Sequence, residues 1–129
     1  MKTLITTLFF LLLSNSAFTS EKRSVSYWCD PQIRLTGLEA VLISEIKGEK
    51  YIEVYTESRG WGGIDKKVEK ADLRINEDGG ENYTSSDATV SLEIFTIDIS
   101  DNLAQNFYRA HFADMEFGFD MKMICEALY

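Results

Sequence analysis

The side chains with chemistry to offer are one histidine, two cysteines, many carboxylates and a tryptophan set between glycines. A catalytic histidine needs a nucleophile to deprotonate and a carboxylate to orient it. The chain has no Gly-x-Ser-x-Gly or comparable nucleophile turn. Arg109-x-His111 also puts both side chains on the polar face of a strand, so His111 reads as a solvated surface residue. Glycoside hydrolysis would need two carboxylates facing each other across a cleft, one of them kept protonated by an apolar wall. Asp98 and Asp120 flank apolar runs and are the candidates, but a soluble acidic surface accounts for them more simply. No catalytic residue is assigned, the chain is read as a non-enzyme, and a hydrolase using paired carboxylates stands as the last alternative.

Asn76-Glu77-Asp78-Gly79-Gly80-Glu81-Asn82 carries oxygen atoms at alternate positions, as a calcium loop does. It lacks the Asp-x-Asp-x-Asn-Gly register and the trailing glutamate. Residues 76–86 therefore read as an exposed loop centred on Gly79-Gly80. Two cysteines and one histidine leave too few ligands for a zinc or haem site, so no metal and no cofactor is expected. Asn82-Tyr83-Thr84 has the spacing of a glycosylation sequon, which matters only in an organism that glycosylates its exported proteins.

Arg59-Gly60-Trp61-Gly62-Gly63 is poorly explained by folding alone. A large aromatic on a glycine turn gains little by standing in water, and Trp and Arg are the types that most often anchor interfaces. Tyr51 and Tyr55 lie on the polar face of the preceding strand and extend the same patch. Arg59, Trp61, Tyr51 and Tyr55 are the candidate binding residues; the competing reading is that Trp61 folds back to cap the domain.

The elements that must position these residues begin after residue 20. Lys2 gives a positive start, Leu8-Phe9-Phe10-Leu11-Leu12-Leu13 a short apolar centre, and residues 14–20 a small, mostly polar end, the layout of a secretory signal peptide. The apolar stretch spans only residues 4–13, well short of the roughly 20 residues a membrane helix needs. Residues 1–20 are thus expected to be cleaved, leaving residues 21–129 as one β-rich domain that is secreted or periplasmic and has no membrane anchor. Their removal takes Lys2 and no acid, so the mature chain is more acidic than the full chain's -8. That charge argues against a nucleic-acid or anionic-membrane partner.

Cys29 and Cys125 sit near the two ends of the mature chain. Each falls on the apolar parity of an alternating run: Val25, Tyr27 and Cys29 in one, Phe117, Phe119, Met121, Met123 and Cys125 in the other. In an oxidising compartment such a pair is read as a disulfide. A reactive thiol would want basic neighbours, and Asp30 and Glu126 are acidic.

Between the cysteines, residues 38–47 and 50–57 form a hairpin about Gly48-Glu49. Residues 66–76 form a strand with Ala71, Leu73 and Ile75 on one face. Residues 89–99 form another, whose apolar parity slips between Ile94 and Phe95, as a bulge or burial on both faces would produce. Residues 103–111 have the Leu103–Phe107 spacing of a short helix, but a turn followed by a strand is the preferred reading, since Tyr108, Ala110 and Phe112 alternate with Arg109, His111 and Ala113. About seven short strands without linker or repeat predict an all-β antiparallel meander, closed or nearly closed into a barrel, with a β-sandwich as the alternative. A disulfide between first and last strands favours closure.

The function expected of such a domain is an exported, non-enzymatic binding module for a protein or glycan outside the cytoplasm. A special case is an inhibitor of an extracellular enzyme, since an acidic module is steered toward a basic target. Small disulfide-closed barrels of this size include the lysozyme inhibitors, which this chain resembles in architecture and in Tyr27-x-Cys29 alone; that resemblance does not carry a site. A carrier of small apolar ligands in the barrel interior is the alternative, opposed by the long inward side chains Phe117, Phe119, Met121 and Met123.

Overall fold

The computed structural model describes residues 22–33, 37–58, 62–96 and 106–128. Residues 1–20, expected to be a cleaved signal peptide, lie outside the described residues, as do Arg59, Trp61 and Asp98. Eight strands follow in chain order: β1 (Ser24–Pro31), β2 (Leu38–Ile46), β3 (Glu49–Glu57), β4 (Ile64–Ile75), β5 (Glu81–Ser85), β6 (Val90–Phe95), β7 (Phe107–Asp114) and β8 (Phe119–Ala127). Each pairs antiparallel with the next, and β8 pairs back onto β1, so the meander closes into a barrel. Cys29 and Cys125 are directly opposite each other in the β1–β8 ladder and form the disulfide. Bonds of this kind persist in oxidising compartments.

Eight strands make a barrel just wide enough for side chains to fill. Tyr27, Ile43, Ile52, Tyr83, Leu92, Ile94, Phe112 and Met123 do so, each with almost no exposed surface. Register makes this possible: Tyr27 faces Ile43, Ile43 faces Ile52, Tyr83 faces Leu92, Leu92 faces Phe112, and Ala110 faces Met123. The tight turn between β2 and β3 has positive φ at both Lys47 and Gly48, 52° and 79°. That is the conformation whose twist matches the flanking strands in a two-residue hairpin.

The structure corrects four local expectations. β5 occupies residues 81–85, where a loop is expected; only 76–80 is loop. Its signal is weak because just two of its side chains, Tyr83 and Ser85, are buried, and the second is a small polar one. That strand raises the count from about seven to eight. β6 ends at Phe95, where the parity slip occurs, because the chain turns there, with Thr96 N donating to Ile94 O at 3.1 Å; Ile97 and Ile99 lie outside the described residues. Finally, Phe117 is half-exposed on the turn before β8 and does not enter the core, whereas Met123 does. Gly118, at φ 76°, reverses the chain between the two phenylalanines.

Alternate strand ends define two ends of the barrel. One carries the connections at 32–37, 58–63, 86–89 and 115–118; the other carries those at 47–48, 76–80 and 96–106. At the first end Lys67 of β4 reaches Asp114 at the end of β7, its Nζ 2.8 Å from a carboxylate oxygen that has no solvent exposure.

Candidate functional site

The candidate residues that the structure describes, Tyr51 and Tyr55, stand on the outer face of β3. Alternation alone requires this, since Ile52 and Val54 between them point into the core. Each tyrosine follows a glutamate by two residues, on the same face of the strand. Tyr51 Oη donates to Glu49 at 3.0 Å and Tyr55 Oη donates to Glu53 at 2.7 Å. The neighbouring strand β4 sets Lys70 opposite Tyr51, Val68 opposite Glu53, Lys66 opposite Tyr55 and Ile64 opposite Glu57. Lys66 lies 5.7 Å from the centre of the Tyr55 ring and 3.6 Å from Glu53, and Lys70 lies 3.3 Å from Glu49.

Glu53 organises this face. Its side chain is only 2% exposed although it points away from the barrel interior. Arg23, just before β1, grips it with two hydrogen bonds, from Nε at 2.6 Å and Nη2 at 2.5 Å. Burial pushes the Glu53 carboxyl up, but hydrogen bonds from Arg23 and Tyr55 and the Arg23 charge outweigh it and bring the pKa down to about 2. The buried Ser44 hydroxyl adds to this from nearby, short of a well-formed hydrogen bond. The Tyr55 phenol is raised in turn, by burial and by the adjacent Glu53 charge. Glu49 is lowered by its hydrogen bonds from Tyr51 and Lys70.

The resulting surface is a row of fixed phenols and charges beside two exposed aliphatic side chains, Ile64 and Val68. Arg59 and Trp61 fall in the sequence between Glu57 and Ile64 and lie outside the described residues. The structure thus brings Tyr51 and Tyr55 onto one surface, with their phenols held. It adds Ile64, Val68, Lys66 and Arg23, which the sequence reading left out. The signal for the first two was present: Ile64 and Val68 share the parity opposite to Ala71. Arg23 carried no signal, because its partner is 30 residues away in sequence.

His111 stands on the outer face of β7, exposed, between Glu93 of β6 and Lys122 of β8. Its Nε2 meets Asp120 Oδ1. The oxygens of the 76–80 loop hold the loop itself: Asp78 Oδ1 accepts from Gly80 N at 3.0 Å, Asn76 O from Gly79 N at 2.9 Å and Gly80 O from Asn76 N at 2.7 Å. Asn82 lies in β5 and its Oδ1 accepts from Thr84 at 3.2 Å. Among the described residues no three His, Cys, Asp or Glu side chains converge as a metal site would require.

No protein-family model, characterised protein or solved structure matches the chain.

Proposed function

We propose that the chain is an exported, non-enzymatic binding module whose partner docks on the outer face of β3 and β4. The observation carrying this reading is the fixed tyrosine row beside exposed Ile64 and Val68. Phenols held by carboxylates on a closed barrel lose little rotamer freedom when a partner arrives. Aromatics with an apolar body and a polar tip are also enriched at interface centres. The partner is a protein or a glycan, and the acidic chain would be steered toward a basic one. The filled interior is why the partner is placed outside the barrel. An inhibitor of an extracellular enzyme is the special case of the same reading.

The test is affinity capture from periplasmic and extracellular extracts with the oxidised protein, beside Val68→Glu and Trp61→Ala variants shown to be equally folded by circular dichroism. A partner held by the wild type and lost with Val68→Glu supports the reading and the site; loss with Trp61→Ala as well extends the site into the 58–63 connection. A partner retained by both variants removes this face. Absence of any partner overturns the function.

A further inference from the structure

β4 overhangs its neighbour in the barrel wall. Residues 64–71 pair with β3, but the ladder with β5 begins only at Ala71. Residues 64–70 therefore have a strand on one side and, among the described residues, no backbone hydrogen bond on the other. Successive residues of an antiparallel strand turn their N–H and C=O groups to opposite sides, so about half of these groups face the open edge. Such an edge is a template for a further strand.

Exposed edges are commonly blunted with lysines, and this one carries Lys66 and Lys67. Both are balanced within the chain. Lys66 Nζ lies 3.6 Å from Glu53, and Lys67 Nζ lies 2.8 Å from Asp114 and 3.2 Å from Glu116. Beside them Ile64 and Val68 stand exposed on the outer face. Asp65, exposed on the other face, has no ion pair or hydrogen-bonded side chain among the described residues. The run Ile64-Asp65-Lys66-Lys67-Val68 is complementary to itself read backwards. Antiparallel pairing about a twofold axis at Lys66 sets Ile64 opposite the second copy's Val68 and Asp65 opposite its Lys67, each twice. The two Lys66 side chains meet at the axis, each beside its own Glu53. An axis at Lys67 would instead oppose Asp65 to Glu69 and Lys67 to itself, and an axis at Val68 would oppose Lys66 to Lys70 twice, so charge selects the register.

We propose that a second copy of this chain adds to β4 along this edge. The product is a symmetric dimer whose sheet runs from one β3 through both β4 strands to the other β3. The pairing uses the backbone edge of β4 and does not depend on a foreign partner docking on the outer face. Residues 64–68 of each chain make a smaller contact than a standard-size interface, so the dimer is weak and forms at high protein concentration.

Sedimentation equilibrium of the oxidised protein should show a reversible monomer–dimer equilibrium. Asp65→Lys, an exposed change checked by circular dichroism to leave the fold intact, should weaken the dimer about tenfold, since two symmetry-related pairs each turn from attractive to repulsive. Cysteine cross-linking under mild oxidation reads the register. Lys66→Cys sets two thiols at the axis, with Cα atoms about 4.5–5.5 Å apart and within disulfide reach, and should yield covalent dimer. Lys70→Cys, on the same strand and face, lies about 27 Å from its counterpart in this register and should not. A protein that stays monomeric at millimolar concentration, a dimer unaltered by Asp65→Lys, or equal cross-linking from the two cysteine variants would each overturn the proposal.

Discussion

Lys67 and Asp114, 47 residues apart in the sequence numbering, meet at one end of the barrel with Nζ 2.8 Å from Oδ2. The contact is an ion pair and not an aligned hydrogen bond, since Oδ2 has no hydrogen-bond donor in good geometry. The other oxygen, Oδ1, accepts from the backbone N–H groups of Glu116 and Phe117 at 3.0 and 3.3 Å and shapes the turn before β8. Lys67 also lies 4.3 Å from the Phe117 ring centre and 3.2 Å from Glu116. One lysine thus ties β4 to the tip of the β7–β8 hairpin.

Removing that lysine strands a buried charge. Lys67→Met is expected to destabilise the protein by about 3 kcal/mol, the scale for breaking a buried pair from one side. Adding Asp114→Asn removes the charge and keeps an Oδ1 acceptor for the turn, so the double variant should regain at least half of the loss. Urea unfolding of the wild type, both single variants and the double variant measures this directly. A double variant no more stable than Lys67→Met alone would show that the charge is not what matters.

Glu53 makes stability depend on acid. Its pKa is depressed, from an ordinary 4.5 to about 2. The stabilisation is therefore fully present above about pH 4.5 and is lost as pH falls through about 2. At 1.36 kcal/mol per pKa unit the shift corresponds to about 3 kcal/mol, and to about 2 once solvent screening at the half-exposed Arg23 is allowed for. Arg23→Met should lower stability at pH 7 and flatten the acid limb between pH 4.5 and 2. Equilibrium unfolding at a series of pH values tests it; parallel acid limbs for wild type and variant would exclude Glu53 as their source.

The disulfide closes a separation of 96 residues. In the chain-entropy account, a loop of this length stabilises the fold by roughly 4–5 kcal/mol. A Cys29→Ala, Cys125→Ala double variant should lose about that much in urea unfolding at pH 7. A loss below about 1 kcal/mol would mean that the barrel closes by strand pairing alone.

Ala88, in the turn between β5 and β6, has φ 62°. A side chain in the left-handed region is strained by about 1–2 kcal/mol, while glycine adds entropy to the unfolded chain. Ala88→Gly is therefore expected to stabilise by a net 0.5–1 kcal/mol or so. The turn does not depend on the alanine side chain, which is exposed; Asp87 holds it by accepting from the hydroxyls of Ser85 and Thr89, both at 2.8 Å. Thermal unfolding should show a higher midpoint for the variant, and a lower one would refute the strain argument.

Much of the barrel was legible in the sequence because inward side chains on antiparallel strands alternate with outward ones. Residues 24–31, 49–57 and 119–127 show that alternation. The same period put Cys29 and Cys125 on the apolar face and Tyr51 and Tyr55 on the polar face. β5 was illegible for the opposite reason: Glu-Asn-Tyr-Thr-Ser offers one large buried side chain, and two glycines before it read as continued loop. Phe117 was misplaced because alternation fixes parity but does not mark where a strand begins, and Gly118 reverses the chain just after it.

The sequence by itself determined the class of fold, the disulfide and which side chains face out, since each follows from a period of two along a single strand. Tertiary structure alone decided which side chains from distant strands meet. Arg23 reaches Glu53 and Lys67 reaches Asp114 because closure brings together residues from strands distant in sequence. Register across a ladder depends on how eight strands fit around one core, and no local pattern encodes that.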